Sequence, residues 1–198
     1  MTRWVVFDYG EVISLRTAAL PSIAGVLGAP VREFEEAYWA ERTAYDRGRT
    51  DLEYWMSIGN RLGLRVDAAL AQRLTAMDNE GWLETSPETV KLIEDLAGAD
   101  VRLALLSNAP ASFGRAVEQQ PWTERFDHLL FSGDLGVVKP EALIWQILLA
   151  GLGTTPDRCV YFDDRADNVE AGLQAGLHAH HWAGAEAARD VLHTHEVL

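Results

Sequence analysis

Residues 4–11 read Trp4-Val5-Val6-Phe7-Asp8-Tyr9-Gly10-Glu11, an apolar run that stops at a carboxylate and turns through a glycine. Four apolar residues in succession, without polar alternation, suit a strand covered on both faces, as in a parallel sheet flanked by helices. A carboxylate at the end of such a strand faces the ligand crevice of an open α/β sheet. Two residues further on, where a second acid would assist an attacking Asp8, Gly10 offers no side chain.

Outward from this stretch, further apolar runs at 101–106, 129–131 and 160–162 read as strands, with a weaker candidate at 178–182. Helical patterns separate them. Ser86-Pro87 supplies an N-cap and a first-turn proline for an apolar stripe of Val90, Leu92, Ile93 and Leu96. Residues 111–119, 141–152 and 168–175 follow as helices, the last closed by Gly176. From residue 87 onward, helix and strand alternate, which predicts a doubly wound parallel α/β sheet. The stretch 15–86 breaks the alternation. It reads as helices over 17–27, 31–47, 51–62 and 68–77, with Gly48 ending the second and a capping box, Thr50 to Glu53, opening the third. The expected organisation is therefore an α/β core of 1–14 and 87–198 with a helical insertion at 15–86. An insertion that leaves just after Asp8 hangs over the strand ends as a lid.

The chain has 198 residues, 48% of them hydrophobic, enough for a substantial core. No apolar stretch approaches the roughly 20 residues of a membrane span. Met1-Thr2-Arg3 runs straight into the first strand without the long apolar region of a secretion signal, so a soluble cytoplasmic protein is expected. Cys159 is the only cysteine, which excludes an internal disulfide and a thiolate metal cluster and favours a buried inert thiol. A formal charge of −13 argues against nucleic acid and anionic membrane as partners, but one lysine or metal ion can still make a cleft attractive to a small anion. Of the 17 basic residues, only Lys91 and Lys139 are lysines.

Four features follow successive strands: Asp8, Ser107-Asn108, Lys139-Pro140 and Asp163-Asp164. In a parallel sheet their strand ends converge on one edge. Together they suit phosphoryl transfer. A carboxylate can attack phosphorus and form an acyl phosphate that water later hydrolyses. Attack of an anion on an anion needs neutralisation, which Mg2+ supplies while taking only one or two protein carboxylates, here Asp8 and Asp164. Ser107 and backbone amides beside Asn108 can bind phosphoryl oxygens, and Lys139 can balance the remaining charge.

Phe7-Asp8-Tyr9-Gly10-Glu11-Val12, Leu106-Ser107-Asn108, Val138-Lys139-Pro140 and Phe162-Asp163-Asp164 with Asn168 resemble, in order, the four motifs of the haloacid dehalogenase superfamily. The resemblance covers the core, and the helical insertion is similar in place to that superfamily's α-helical cap. Ser132-Gly133-Asp134-Leu135-Gly136 and the segment Phe162 to Asn168 look most like the branch that includes bacterial sugar phosphatases such as α-glucose-1-phosphate phosphatase.

The resemblance implies Asp8 as nucleophile and metal ligand, Asp164 and the Gly10 carbonyl as further Mg2+ ligands, and Asp163 and Asn168 as supports behind them. It implies Lys139 as the partner of Asp8 and phosphate, and Ser107 and Asn108 as phosphate binders. The usual phosphatase motif places a general acid where Gly10 stands, and losing a general acid costs about 10²- to 10⁴-fold in rate. Glu11, next in sequence, is an alternative source of that acid, against which the divergence of adjacent side chains argues.

The expected substrate is a small phosphorylated metabolite. Two alternatives stand: a domain that binds a ligand or partner without turnover, suggested by Gly10, and a metal-free 2-haloacid dehalogenase, against which Asp163-Asp164 argue by charge repulsion. His178, His180 and His181 read as edge-strand residues rather than metal ligands. Trp39, Trp55 and Trp82 serve either a pocket or helix packing.

Overall fold

In the computed structural model, which describes residues 3–99 and 101–198, Trp4–Phe7 form the central strand β1, with Val5, Val6 and Phe7 fully buried. Met1 and Thr2, named above for the N-terminal reading, lie outside the described residues. The other strands are β2 (Arg102–Ser107), β3 (His128–Phe131), β4 (Cys159–Asp163) and β5 (His178–His181). They form one parallel sheet in the order β3-β2-β1-β4-β5. Covered faces explain the continuous apolar runs. One face packs with Val5, Phe7, Leu92, Ile93, Leu96, Leu103 and Leu105, the other with Trp4, Val6, Ile144, Trp145, Leu148 and Tyr161.

Register places the site. Phe7 pairs with Leu105 on one side and Phe162 on the other. One step further along, Asp8 therefore lies level with Leu106 and Asp163, and its N–H donates to the Phe162 carbonyl at 2.9 Å. Neighbouring strands are about 4.8 Å apart, so residues more than 150 positions distant in sequence become side-chain neighbours.

Between β1 and α5 (Pro87–Gly98) the chain forms four helices, α1 (Leu20–Leu27), α2 (Val31–Asp46), α3 (Asp51–Leu62) and α4 (Ala68–Trp82). They have an apolar core of their own, with Phe34, Tyr38, Tyr54, Trp55, Ile58 and Leu74 completely buried. The Thr50–Glu53 capping box is formed in both directions. The return to the sheet is marked by an antiparallel bridge between Ser14 and Thr85.

After β2 come α6 (Ala111–Val117), α7 (Ser132–Leu135), α8 (Ala142–Leu152), α9 (Ala166–Gln174) and α10 (Ala185–Thr194). Several boundaries differ from the sequence reading. α1 begins at Leu20 rather than 17, because Pro21 is tolerated only in a first turn. α4 continues past 77 to Trp82 because Asp78, polar in sequence, is drawn inside as an ion-pair partner. α9 starts at Ala166, earlier than 168, after the Arg165 N–H is capped by Asp163 at 2.8 Å. α7 lies between β3 and Lys139, where the sequence reading placed no helix, and α10 was not expected.

Candidate active site

Asp8, at the end of β1, is 7% exposed and ion-paired to Lys139 Nζ at 2.7 Å. The same ammonium donates to Asp163 at 2.7 Å and to the Leu106 carbonyl at 2.9 Å. An ammonium has three donors, so all of them are engaged and the lysine is pinned between β1, β2 and β4. Its loop is held in turn by Asn108, whose side chain accepts from the Lys139 N–H at 2.7 Å and donates to the Lys139 carbonyl at 2.9 Å. Asn108 thus places Lys139 with one of its two amide N–H groups and its carbonyl, and lines the cavity as well. The neighbouring Ala109 N–H is also taken, donating to Ser132 Oγ at 2.9 Å. Ser107 is buried at the end of β2 and lines the same cavity as Asp8.

Asp163 is completely buried and surrounded by donors: Lys139, the Tyr161 hydroxyl, the Arg165 N–H, and Asn168 Nδ2 at 3.0 and 3.1 Å. Such a carboxylate is a fixed support. Asp164, next in the chain but half-buried, is turned to the cavity instead. The structure thus brings Asp8, Gly10, Ser107, Asn108, Lys139, Asp164 and Asn168 to the wall of one cavity of about 640 Å³, with Asp163 directly behind.

Burial pushes the Asp8 carboxyl up to about 7, with Lys139 pulling it down and the charge of Asp163 adding to the rise. Asp164 is raised by burial and by the charges of Asp163 and Glu11. Burial alone would lower Lys139, but Asp8 and Asp163 outweigh it and hold the ammonium charged. Several carboxylates around one lysine leave local negative charge uncompensated.

Carboxylate oxygens of Asp8, Asp163 and Asp164 lie within 4.8 Å of one another. Asn168 Oδ1 is buried without a hydrogen-bond partner. A set of hard oxygen donors, an excess of negative charge and an orphan acceptor fit a divalent cation such as Mg2+. At Gly10 an added Cβ would meet nothing within 4 Å, so neither packing nor a left-handed φ demands glycine there.

The cavity has a second wall, of which the sequence reading named Trp39 and Trp82 as candidates and missed the residues of α2 beside them. Trp39, Arg42, Thr43, Asp46 and Arg47 of α2 and the turn after it, with Trp82 of α4, face the strand ends. Of the three tryptophans, Trp39 and Trp82 line the cavity whereas Trp55 is fully buried among the helices, its Nε1 donating to Thr75 at 2.8 Å. Arg42 and Asp46 continue the four-residue spacing of Phe34 and Tyr38, so a charged pair falls on the apolar stripe of α2. That was the available signal. Across the rim Arg47 pairs with Glu141 of the core through both guanidinium nitrogens, one contact measuring 2.9 Å. The histidines lie elsewhere, on edge strand β5, where His180 Nε2 meets His195 Nε2 at 2.9 Å.

Comparison with known proteins gives the family and the fold. Residues 3–176 match the model of the haloacid dehalogenase-like hydrolase family. The chain is 24% identical over 186 residues to Phosphatase MT3486 of Mycobacterium tuberculosis (strain CDC 1551 / Oshkosh), covering 89% of this chain and 85% of that one. Among solved structures it resembles the HAD family enzyme bt-2542 of Bacteroides thetaiotaomicron, with TM-score 0.78, 16% identity and coverage of 96% and 98%. A complex of that enzyme with magnesium and inorganic phosphate superposes with TM-score 0.72, 17% identity and coverage of 92% and 93%. L-2-haloacid dehalogenase of Xanthobacter autotrophicus, with chloropropionic acid covalently bound, gives TM-score 0.72 at 18% identity, covering 100% of this chain and 85% of that one. These likenesses in structure, at 16% to 18% identity, show the fold alone. The match over most of the chain, on a core whose strand ends gather Asp8, Lys139 and Asp164, makes this protein a member of the haloacid dehalogenase-like hydrolases.

Proposed function

We propose that the protein is a Mg2+-dependent phosphatase of a small phosphorylated metabolite, with Asp8 as nucleophile and the helices α1–α4 as a cap over the site. The observation that carries this reading is Lys139 Nζ, held at 2.7 Å from both Asp8 and Asp163, with Asp164 close beside them at one cavity wall. Asp8, Asp164 and the Gly10 carbonyl would hold the ion, supported by Asp163 and Asn168. Mg2+ bound there supplies neutralisation of the charge that builds on the phosphoryl oxygens.

The protein's own groups do the rest. Asp8 attacks phosphorus as the bond to the leaving oxygen breaks, giving an acyl phosphate, and water then attacks that phosphorus and returns the Asp8 carboxylate. Lys139 keeps Asp8 oriented and balances charge, and the Ser107 hydroxyl donates to a phosphoryl oxygen. A cavity of this size, walled by Trp39, Trp82 and Phe113 and by the charged Arg47, suits a compact organic phosphate. Sugar phosphates are the first class to test, in keeping with the motif resemblance. A dehalogenase reading places an anionic substrate against Asp163, Asp164 and Glu11, with Lys139 already shared between Asp8 and Asp163.

The test is phosphate release from a metabolite panel with Mg2+. Wild-type protein releases phosphate, Asp8→Asn releases none, and EDTA abolishes the activity. Activity that survives in Asp8→Asn contradicts the mechanism, and halide release from 2-chloropropionate in EDTA replaces it with dehalogenation. Tight phosphate binding without turnover on any substrate would instead favour a binding protein.

A further inference from the structure

Gly10 leaves the leaving oxygen without a proton donor at the position where the motif usually supplies one. On the opposite wall stands Asp46, the last residue of α2, whose side chain is 11% exposed. Its Oδ1 accepts from Arg42 Nε at 2.8 Å. Its Oδ2 has no hydrogen-bond partner among the described residues and is the oxygen left for a ligand.

Arg42 is shared, because Asp78 Oδ2 lies 3.5 Å from the same guanidinium. Arg42 also donates to the Tyr38 hydroxyl at 2.5 Å, which itself donates to Asp78 at 2.8 Å. Two buried carboxylates thus face one buried cation, and at low dielectric such a pair retains a proton that neither would hold in water. Asp78 is enclosed behind the cavity, whereas Asp46 lines it.

The position is fixed by the core. Ser132 Oγ donates to the Asp46 carbonyl at 2.5 Å, and two residues later Gly48 lies so close to Gly133 that an added Cβ would stand 2.9 Å from its carbonyl oxygen. The Lys139 ammonium that holds Asp8 is near enough to act on the Asp46 charge.

On the reading that this is a phosphatase, we propose that Asp46 is the proton donor to the leaving group, supplying from the helical wall the acid that Gly10 lacks. As Asp8 Oδ bonds to phosphorus and the P–O bond to the leaving group breaks, the Asp46 carboxyl proton passes to that oxygen. In the second half the Asp46 carboxylate takes a proton from the attacking water as the bond from phosphorus to Asp8 breaks, so the enzyme returns to its starting state. Burial raises the Asp46 carboxyl to about 6, against the pull of Arg42 and Lys139 and with the push of Asp78. Tyr54 also packs within reach of its charge. The acid form is thus present at mildly acidic pH and is lost as pH rises through about 6.

The test compares phenyl phosphate, whose leaving group needs a proton, with p-nitrophenyl phosphate, whose leaving group does not. In single turnovers with Mg2+, Asp46→Asn slows phenol release by about 10²- to 10⁴-fold but slows the p-nitrophenolate burst by less than about tenfold. Because Asp8 ionises alike for both substrates, the ratio of wild-type rates on phenyl and p-nitrophenyl phosphate falls as pH rises through about 6, and this limb is absent in Asp46→Asn. Adding Gly10→Asp to Asp46→Asn restores phenol release. Equal slowing of both substrates, no slowing of either, or an unchanged pH limb in Asp46→Asn overturns the assignment of Asp46. Such a result leaves the phosphatase reading intact provided Asp8→Asn is inactive; turnover by Asp8→Asn removes both. Should Asp46→Asn fail to fold, the wild-type protein carries the test alone: a ratio of the two rates that falls as pH rises through about 6 supports the donor, and the same profile on both substrates overturns it.

Discussion

Lys139 shows how much of this site depends on a single side chain. Its ammonium is buried between two carboxylates and a carbonyl, and removing it leaves Asp8 and Asp163 desolvated without their shared cation. Breaking a buried pair in this way costs about 3–5 kcal/mol. Lys139→Met is accordingly expected to lose about that much stability in urea denaturation at neutral pH, and all turnover. The sign of its pH dependence follows from the charges. Without the ammonium, burial leaves Asp8 binding its proton more readily in the folded than in the unfolded chain, so the deficit shrinks as pH falls. A Lys139→Met protein as stable as wild type at pH 7 would contradict this account of the pair. Asp8, Lys139 and Asp164 were legible in the sequence because each follows an apolar run and carries a charge that packing does not explain. Asp46 was not. In sequence, Arg42 and Asp46 look like an ordinary solvated i,i+4 pair on a helix, and only their place on the stripe of Phe34 and Tyr38 hints that they are drawn inside.

Among the elements, the end of α2 joins the helical unit to the sheet. Tyr45 donates to Asp51 at 2.7 Å, Ser112 of α6 donates to the same carboxylate at 2.7 Å, and Gly48 turns the chain with φ of 110° against Gly133. A side chain at 48 meets both a strained backbone and the Gly133 carbonyl. Gly48→Ala is expected to destabilise by about 1–3 kcal/mol and to raise KM more than it lowers kcat, since it lifts the α2 wall away from Asp8. Urea denaturation with steady-state kinetics on the same variant checks both effects, and wild-type stability with unchanged KM would show that the junction tolerates the added methyl. The strands were readable because both sheet faces are covered, which leaves long apolar runs. α10 was not, because its inward face is made of Ala188 and Leu192 among acids and histidines, too short a stripe to stand out.

For the whole molecule, a net charge of −13 surrounds a site that is itself rich in carboxylates. Local neutralisation, not overall charge, then decides whether a phosphorylated ligand can enter. Among the described residues no helix is long and apolar enough to cross a membrane. A ligand that binds only the folded state stabilises it by about 2.7 kcal/mol at a hundredfold excess over Kd. Saturating Mg2+ is therefore expected to raise Tm of the wild-type protein, with the increase largely lost in Asp164→Asn. An equal rise in both would place the ion elsewhere. The claim on which the rest depends is that Asp8 becomes phosphorylated. Mass spectrometry of protein quenched in acid during turnover, with Mg2+ and a substrate from the panel, measures this directly. The account predicts a phosphoryl group on the peptide that contains Asp8, formed and discharged at the rate of turnover and absent from Asp8→Asn. Full turnover with no phosphorylated Asp8 at any time point would contradict it.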